Sequence, residues 1–471
     1  MTDARGGEAV NFGFITVIVA VATIGGFMFG YDSGVVNGTQ EGLERAFNLG
    51  ALGIGVNVGA ILVGSSFGAF FAGRLSDIIG RRNTMMVAAV LFVVSALLAG
   101  AASSSAMFIL ARILGGLGVG AASVTSPVYI SEVVPARIRG RLSTVQQVMI
   151  ITGLTGAFIA NYFLARYAGG STAPFWAGHP AWRWMYWLQV VPAVIYLLAL
   201  LLIPESPRFL VMKGRDAAAE GVLTRLFGPS EARRKVVEIR DSLASDHHKP
   251  KFSDLIDKRT GKIRPILWTG IGIAVFQQLV GINVIFYYGA TLWRAAGFTE
   301  QTALFMNGIT GFLSIPACIV SLFLVDKIGR KPLLLVGSIG MTVTLAIVGV
   351  AFSRGVADAA GAVTLPGNWG MIAFISALVY TLFFNMSWGP VMWVLLGEMF
   401  PTQIRGSALA VSGFAQWIAN AAISVSFPSL ILSPGLSITY FGYAAFALIS
   451  FFFVRALVHE TRGRELEAME G

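Results

Sequence analysis

The sequence predicts an all-α integral membrane protein with twelve membrane-spanning helices, built as two parallel six-helix halves with a helical linker between them. Three observations carry this. Of the 471 residues, 55% are hydrophobic and only 12% are charged, and the mean hydropathy of +0.73 exceeds what the core of a water-soluble chain requires. Apolar stretches of roughly 20 residues, the length that crosses about 30 Å of hydrocarbon as a helix, recur along nearly the whole chain. Short motifs of the first half also return, in order, in the second. The apolar/polar alternation of a transmembrane barrel is not the pattern seen.

Helices are expected over residues 12–38, 52–74, 84–105, 107–132, 143–166 and 184–204, then over 265–291, 301–326, 331–353, 369–396, 404–428 and 433–456. The first span is longer than a secretory h-region and lacks a small-residue cleavage pattern, so it is expected to be retained. Residues 205–262 are polar, and AAAEGVLTRL and SEARRKVVEIRDSLA at helical spacing predict short amphipathic helices lying on the cytoplasmic face, with a simple linker as the alternative. The expected organisation is therefore a first half at 1–204, a linker at 205–262, a second half at 263–457 and a tail at 458–471.

The formal charge of +10 sits in alternate loops. Arg74, Arg81 and Arg82 follow the second span, Arg137, Arg139 and Arg141 the fourth, and Lys327, Arg330 and Lys331 the eighth. By the positive-inside rule both termini and the linker face the cytoplasm of a cell membrane, and no nucleic-acid partner is needed to explain the charge. Cys318 is the only cysteine, so no intramolecular disulfide is expected. His179, His247, His248 and His459 fall in polar loops without ligand spacing, so neither a metal nor another cofactor is expected. No set of nucleophile, base and orienter suggests an enzyme.

The repeats are specific. GRLSDIIGRR at 73–82 returns as VDKIGRK at 325–331, ISEVVPARIRG at 130–140 as LGEMFPTQIRG at 396–406, and PESPR at 204–208 as HETRG at 459–463. Two halves repeated in the same orientation are how transporters build a midplane site that opens to either side.

These residues resemble the sugar porter family of the major facilitator superfamily. The match runs from about residue 14 to 467 and rests on FGYD, GRLSDIIGRR, PVYISEVVPARIRGR, PESPR, FQQLVGIN, DKIGRK, WGPVMWVLLGEMFP and HETRG, in the family's order. MSWGPVMWVLLGEMFP with AQWIAN is most similar to bacterial proton-coupled xylose and glucose transporters. The last motif departs from the family by starting with His459 in place of proline.

In GGFMFGYDSGVVNG, residues 25–38, Asp32 is a carboxylate at membrane depth, which costs several kcal/mol unless it is partnered or protonated. Gly26, Gly30, Gly34 and Gly38 form a smooth ridge for helix packing, while Asp32 projects from another face. Its intramembrane partner is expected to be Arg112, in the fourth span. An apolar medium favours a neutral carboxyl and a guanidinium favours the anion, so separating the two would load or release a proton. The resemblance implies this coupling role for Asp32 and Arg112. The alternative is a static pair holding two helices together, which is costly relative to apolar packing.

A sugar needs neutral amides and an aromatic wall, and Gln277, Gln278 and Asn283 in FQQLVGINVIFYY supply amides. On an unbroken helix Gln278 and Asn283 would point about 140° apart, and Gly281 permits a local break. The resemblance adds Gln147, Trp393, Gln416 and Trp417 to the substrate site, and Asn385 is a further candidate. It makes Tyr287 and Tyr288 an outer gate and places the family's eighth-span sugar-binding asparagine at Ser314, with Asn307 two turns away. For each amide taken singly the alternative is an interhelical hydrogen bond.

Interleaved charges mark the loop motifs of both halves: Asp77, Arg81, Glu132, Arg139 and Glu205, then Asp326, Arg330, Glu398, Arg405 and Glu460. The resemblance implies salt bridges between helix ends that hold the outward-open state and break when the inside opens. Exposed pairs contribute little singly, so only a network would bias the equilibrium. The function expected is proton-coupled uptake of a monosaccharide, D-glucose ahead of D-xylose, by a monomer in the bilayer. A facilitator and a sugar-sensing receptor on the same fold are the alternatives, although little chain remains after about residue 457 for a signalling tail.

Overall fold

The structure, a computed structural model, describes residues 10–245, 255–256, 261–357, 363–401 and 404–462, with the backbone alone at 136–144 and 244–245. Among these residues, eleven helices are long and apolar enough to cross a membrane. The last of them, Arg405–Leu457, has 53 residues and as one straight rod would reach about 80 Å, far beyond a bilayer. It is two spans. Ser433 leaves helical geometry (φ −156°, ψ 122°) and turns the chain between Arg405–Leu430 and Leu436–Leu457, so the chain crosses twelve times.

The first six spans are Phe12–Val35, Ala51–Ile79, Arg81–Ala101, Ser105–Val133, Ala136–Ala168 and a sixth in two pieces, Ala181–Leu188 and Val190–Leu200. The seventh is also in two pieces, Pro265–Leu279 and Ile282–Ala295; then come Glu300–Ile328 and Arg330–Ser353. The tenth divides into Trp369–Met386 and Trp388–Met399, ahead of the last two. Between the sixth and seventh lie the linker helices Pro207–Met212, Asp216–Phe227 and Pro229–Ser245. The Asn11 N–H donates to Leu226 O, so the first span starts beside them, and that side is here termed the linker face. The expectation for 205–262 includes 246–254 and 257–260, which lie outside the described residues, as do 463–471 of the tail.

One expectation needs correction. The sixth and tenth spans were each expected to be continuous. Pro192 and Pro390 each sit three residues past the observed break, at Gln189 and at Ser387 (φ −132°, ψ −89°). A proline has no N–H for the carbonyl four residues back and its ring crowds that carbonyl. The fold is all-α as expected, and the loop after the ninth span adds only a short antiparallel ladder of Val356–Ala357 with Val363–Thr364.

The packing repeats with the sequence. In the first half the first span packs on the fifth, the second on the fourth and the third on the sixth; in the second half the seventh packs on the eleventh, the eighth on the tenth and the ninth on the twelfth. The halves meet where the second span lies on the eleventh and the fifth on the eighth. These two contacts exchange under a pseudo-twofold axis.

The glycine ridge of the first span is what brings it against the fifth. A Cβ on Gly30 would lie 1.8 Å from Ile150 O, and one on Gly153 would lie 1.9 Å from Phe27 O, so the two backbones touch through their glycines. Gly30→Ala is expected to destabilise the protein by about 3 kcal/mol, the upper end for overpacking, whereas Gly442→Ala, which meets nothing within 4 Å, should leave the detergent melting temperature unchanged or slightly raised.

Candidate functional site

A cavity of about 720 Å³ lies between the halves. Its lining reaches Gly73, Val128, Gly397 and Gly406, near the linker-face ends of their helices, but stops at Ser33 on the first span and Tyr287 on the seventh. It therefore opens toward the linker face and is closed toward the far one.

The polar wall comes mainly from the second half. Gly281 adopts φ +83°, the left-handed region that glycine enters without steric cost, and the Tyr380 hydroxyl donates to Val280 O at 2.7 Å. This break swings Asn283 toward Gln278. The Asn283 amide donates to Gln278 Oε1 at 2.5 Å, Gln278 Nε2 to Gln277 Oε1 at 3.0 Å, and Gln416 Nε2 to the same Gln277 oxygen at 3.2 Å. Gln277 Nε2 is held by the carbonyls of Trp388 and Gly389, at 3.2 and 3.3 Å, past the break of the tenth span. The amides form one chain. Gln416 Oε1 and Asn385 Oδ1 have no hydrogen-bond partner among the described residues, and both residues line the cavity. Gln147 faces them from the first half, and Trp393 and Trp417 supply aromatic wall. Trp417 also meets Phe29 of the first half, with ring centroids 5.6 Å apart.

Two expected site residues are elsewhere. Ser314 is buried, outside the lining, and its hydroxyl donates to Thr310 O in its own helix at 2.7 Å. Tyr288 is also outside the lining, donating to Ser424 O at 2.6 Å. Successive helical residues diverge by about 100°, so only Tyr287 of the tyrosine pair reaches the cavity. Asn307 is not at the cavity either; its amide donates to Asn37 Oδ1 at 2.8 Å and its oxygen accepts from Trp293 Nε1 at 3.2 Å.

The far face is shut by bonds between the halves. Asn37 Nδ2 donates to Phe286 O at 2.8 Å, Asn37 Oδ1 accepts from Ala290 N at 2.9 Å, and Gln40 donates to Tyr287 O at 2.5 Å. Thr291 donates to Gln40 Oε1 at 2.6 Å, and Arg294 pairs with Glu41. Sequence reasoning missed Asn37 and Gln40. Their one visible signal was polarity at the far end of an apolar span.

On the linker face the matched charges build the same device in each half. Arg81 meets Glu132 at 3.0 Å and Asp77 at 2.9 Å; Arg330 meets Glu398 at 2.8 Å and Asp326 at 3.2 Å. Glu205 accepts from the backbone of Arg81 and Arg82, as Glu460 does from Arg330 and Lys331. Arg405 instead donates to Phe400 O at 3.1 Å, and the Arg139 side chain lies outside the described residues. Two corrections follow. The Arg81–Glu132 side chains are only 8% and 9% accessible, so this pair is buried, not exposed. These pairs also lie within a half and are intact while the cavity opens on their own face, so they do not break with that opening.

Asp32 and Arg112 do meet. Their side chains are 1% and 0% exposed, with Nη1 at 2.7 Å from Oδ1. Arg112 Nη2 also donates to Asp32 O at 3.2 Å, and Gln189 Nε2, at the break of the sixth span, donates to Oδ1 at 2.8 Å. Oδ2 has no partner among the described residues. Gln189 was not foreseen; its polarity inside WLQVVP was the available signal.

Twelve spans in two pseudo-symmetric halves around a largely apolar cavity with an amide wall, open to one face, define a membrane transporter. The chain belongs to the Sugar (and other) transporter family, whose pattern matches residues 18–471. The glucose transport protein of Synechocystis sp. is 47% identical over 463 residues, covering 98% of each chain. The D-xylose-proton symporter of Escherichia coli K12 is 35% identical over 495 residues, covering 98% of this chain and 96% of its own. The xylose transporter XylE from E. coli, in a partially occluded inward open conformation, superposes with a TM-score of 0.82 at 34% identity, over 96% of this chain and all of that one.

Partial burial pushes the Glu460 carboxyl up, but the backbone N–H groups of Arg462, Arg330, Lys331 and Thr461 outweigh it and hold the group below the usual carboxylate range. A depressed folded-state value stabilises the fold above the unfolded-state value of about 4.3 and loses that contribution as pH falls through the folded value. The difference in melting temperature between wild type and Glu460→Gln should therefore be largest at neutral pH and shrink below about pH 4; a difference constant across that range would contradict it.

Proposed function

We propose that this protein is a proton-coupled monosaccharide symporter working by alternating access, with D-glucose as the favoured substrate and D-xylose next. The observation that carries this reading is the fully buried Asp32–Arg112 pair, one residue from a cavity whose polar wall is built of neutral amides. Amides suit hydroxyls, and Trp393 and Trp417 suit the apolar face of a sugar ring. The carboxyl has a use that the amides lack. A carboxylate can hold either the Arg112 guanidinium or a proton, so occupancy by a proton changes what ties the first span to the fourth. The names of the relatives agree with both substrates.

Gln147, Gln277, Gln278, Asn283, Asn385 and Gln416 bind the sugar, and Tyr287 closes over it from the far side. Tyr288 acts indirectly, by tying the seventh span to the eleventh through Ser424 O, and Ser314 bonds only within its own helix. The halves at 1–204 and 263–457 rock on the two interfaces between them, with 205–262 as a cytoplasmic linker and 458–471 as a tail. The concentration of Arg and Lys on the linker face makes that face cytoplasmic. The state described is then inward-open, in the cell membrane, in a monomer. The charge clusters, matched between the halves, keep each half rigid, and a latch for the outward-open state arises from their approach across the halves.

Reconstituted into proteoliposomes, the wild type should accumulate labelled glucose about tenfold per unit of inward pH gradient at one proton per sugar, since one pH unit is about 1.36 kcal/mol. Asp32→Asn should equilibrate sugar without accumulating it. Gradient-independent equilibration by the wild type would make the protein a facilitator and Asp32 a structural residue. In a binding titration, Gln278→Ala should weaken sugar affinity about tenfold, on the order of 1.4 kcal/mol, while Ser314→Ala stays within about twofold.

A further inference from the structure

The buried polar groups around Asp32 do not end with its ion pair. Tyr186, fully buried on the first piece of the sixth span, lies under Arg112, whose guanidinium carbon is 5.6 Å from the ring centroid. The other end of the same ring reaches Thr39, with the two hydroxyl oxygens 3.0 Å apart. Thr39 has one hydroxyl proton, and Val36 O, 3.1 Å away, accepts it. The Tyr186 hydroxyl is then the donor to Thr39. Thr39 sits in the turn between Asn37 and Gln40, the two residues whose amides hold Phe286, Tyr287, Ala290 and Thr291 of the second half. One side chain thus touches the cation of the buried pair with its face and the hinge of the far-face closure with its tip.

We propose that Tyr186 is a positioning residue that transmits the protonation state of Asp32 to the far-face closure through its hydroxyl bond to Thr39. This rests on the symport reading above. A cation over an aromatic face is attracted to it, more strongly out of water. While Asp32 is ionised, Arg112 is tethered and Tyr186 is held under it. A proton on Asp32 frees Arg112 to move, the ring follows, and the donor bond that fixes Thr39 is lost. The closure at Asn37 and Gln40 is the two-state element that this bond biases. Among the described residues, the ionisable side chains facing the Asp32–Arg112 pair are Tyr186 from the sixth span and Tyr287 from the seventh, and both are in contact with the closure segment or part of it.

Tyr186→Phe removes the hydroxyl and keeps the ring. Full-length protein in proteoliposomes, with spin labels at the exposed far-face positions Ser103 and Gln301 in a Cys318→Ser background, reports closure by interlabel distance at pH 8 and pH 5.5. Sugar counterflow and gradient-driven accumulation of glucose are measured in the same preparation. In the wild type the distance distribution shifts with pH. In Tyr186→Phe the shift should vanish and accumulation fall about fivefold, the change in an equilibrium that one hydrogen bond supports, while counterflow stays within about twofold. Thr39→Val, which loses the acceptor from the other side, should give the same result and decides the matter if Tyr186→Phe does not fold. A coupled wild type with equally coupled variants overturns this inference alone; a wild type with neither pH-dependent closure nor accumulation overturns the symport reading and this inference together.

Discussion

Everything in this molecule is arranged around a carboxylate and a guanidinium held out of water. The pair of Asp32 and Arg112 is shielded by helices on every side, and its desolvation costs more than apolar packing at the same place would. The surroundings make up for this in part: Nη1 and Gln189 both donate to Oδ1, and Nη2 donates to the backbone oxygen of Asp32. One carboxylate oxygen is left without a partner among the described residues. An ion pair meant only to join two helices gains nothing from that arrangement, whereas a proton acceptor needs an oxygen that is free to take the proton.

The site for the neutral cargo obeys the opposite rule. Its amides bond to one another in a chain from Asn283 through Gln278 and Gln277 to Gln416, so none is left wholly orphaned when the cavity is empty, and each can be re-aimed at a hydroxyl at little net cost. What makes the chain close is a helix break at Gly281. What makes the conformational change cheap is the repeat: the second span against the eleventh and the fifth against the eighth are equivalent contacts, and a rotation that loosens one side of the axis tightens the other.

Much of this could be read from residues alone. Spans announced themselves by length and hydropathy, the Asp32–Arg112 contact followed from the cost of a lone carboxylate, and the glycine ridge and the break at Gly281 followed from backbone chemistry. The breaks at Gln189 and Ser387 were missed because a proline acts on the turn before it and leaves the apolar run unbroken. Ser314 and Tyr288 were misplaced because helical phase decides which face a side chain takes, and a motif match does not carry phase. Asn37, Gln40 and Gln189 were missed for a different reason: polarity inside or beside an apolar span was visible, but their partners lie across the halves or in a distant span, and a single sequence holds no record of that pairing.

The central claim is that Asp32 takes up and gives back a proton as the protein changes state. Infrared difference spectroscopy of the reconstituted protein, comparing sugar-free and sugar-bound samples across pH, tests this at the carboxyl itself. The account predicts a protonated-carboxyl band whose intensity changes with pH and sugar and which is lost in Asp32→Asn. A spectrum in which no such band appears at any pH while transport proceeds, or one that Asp32→Asn leaves unaltered, would contradict it.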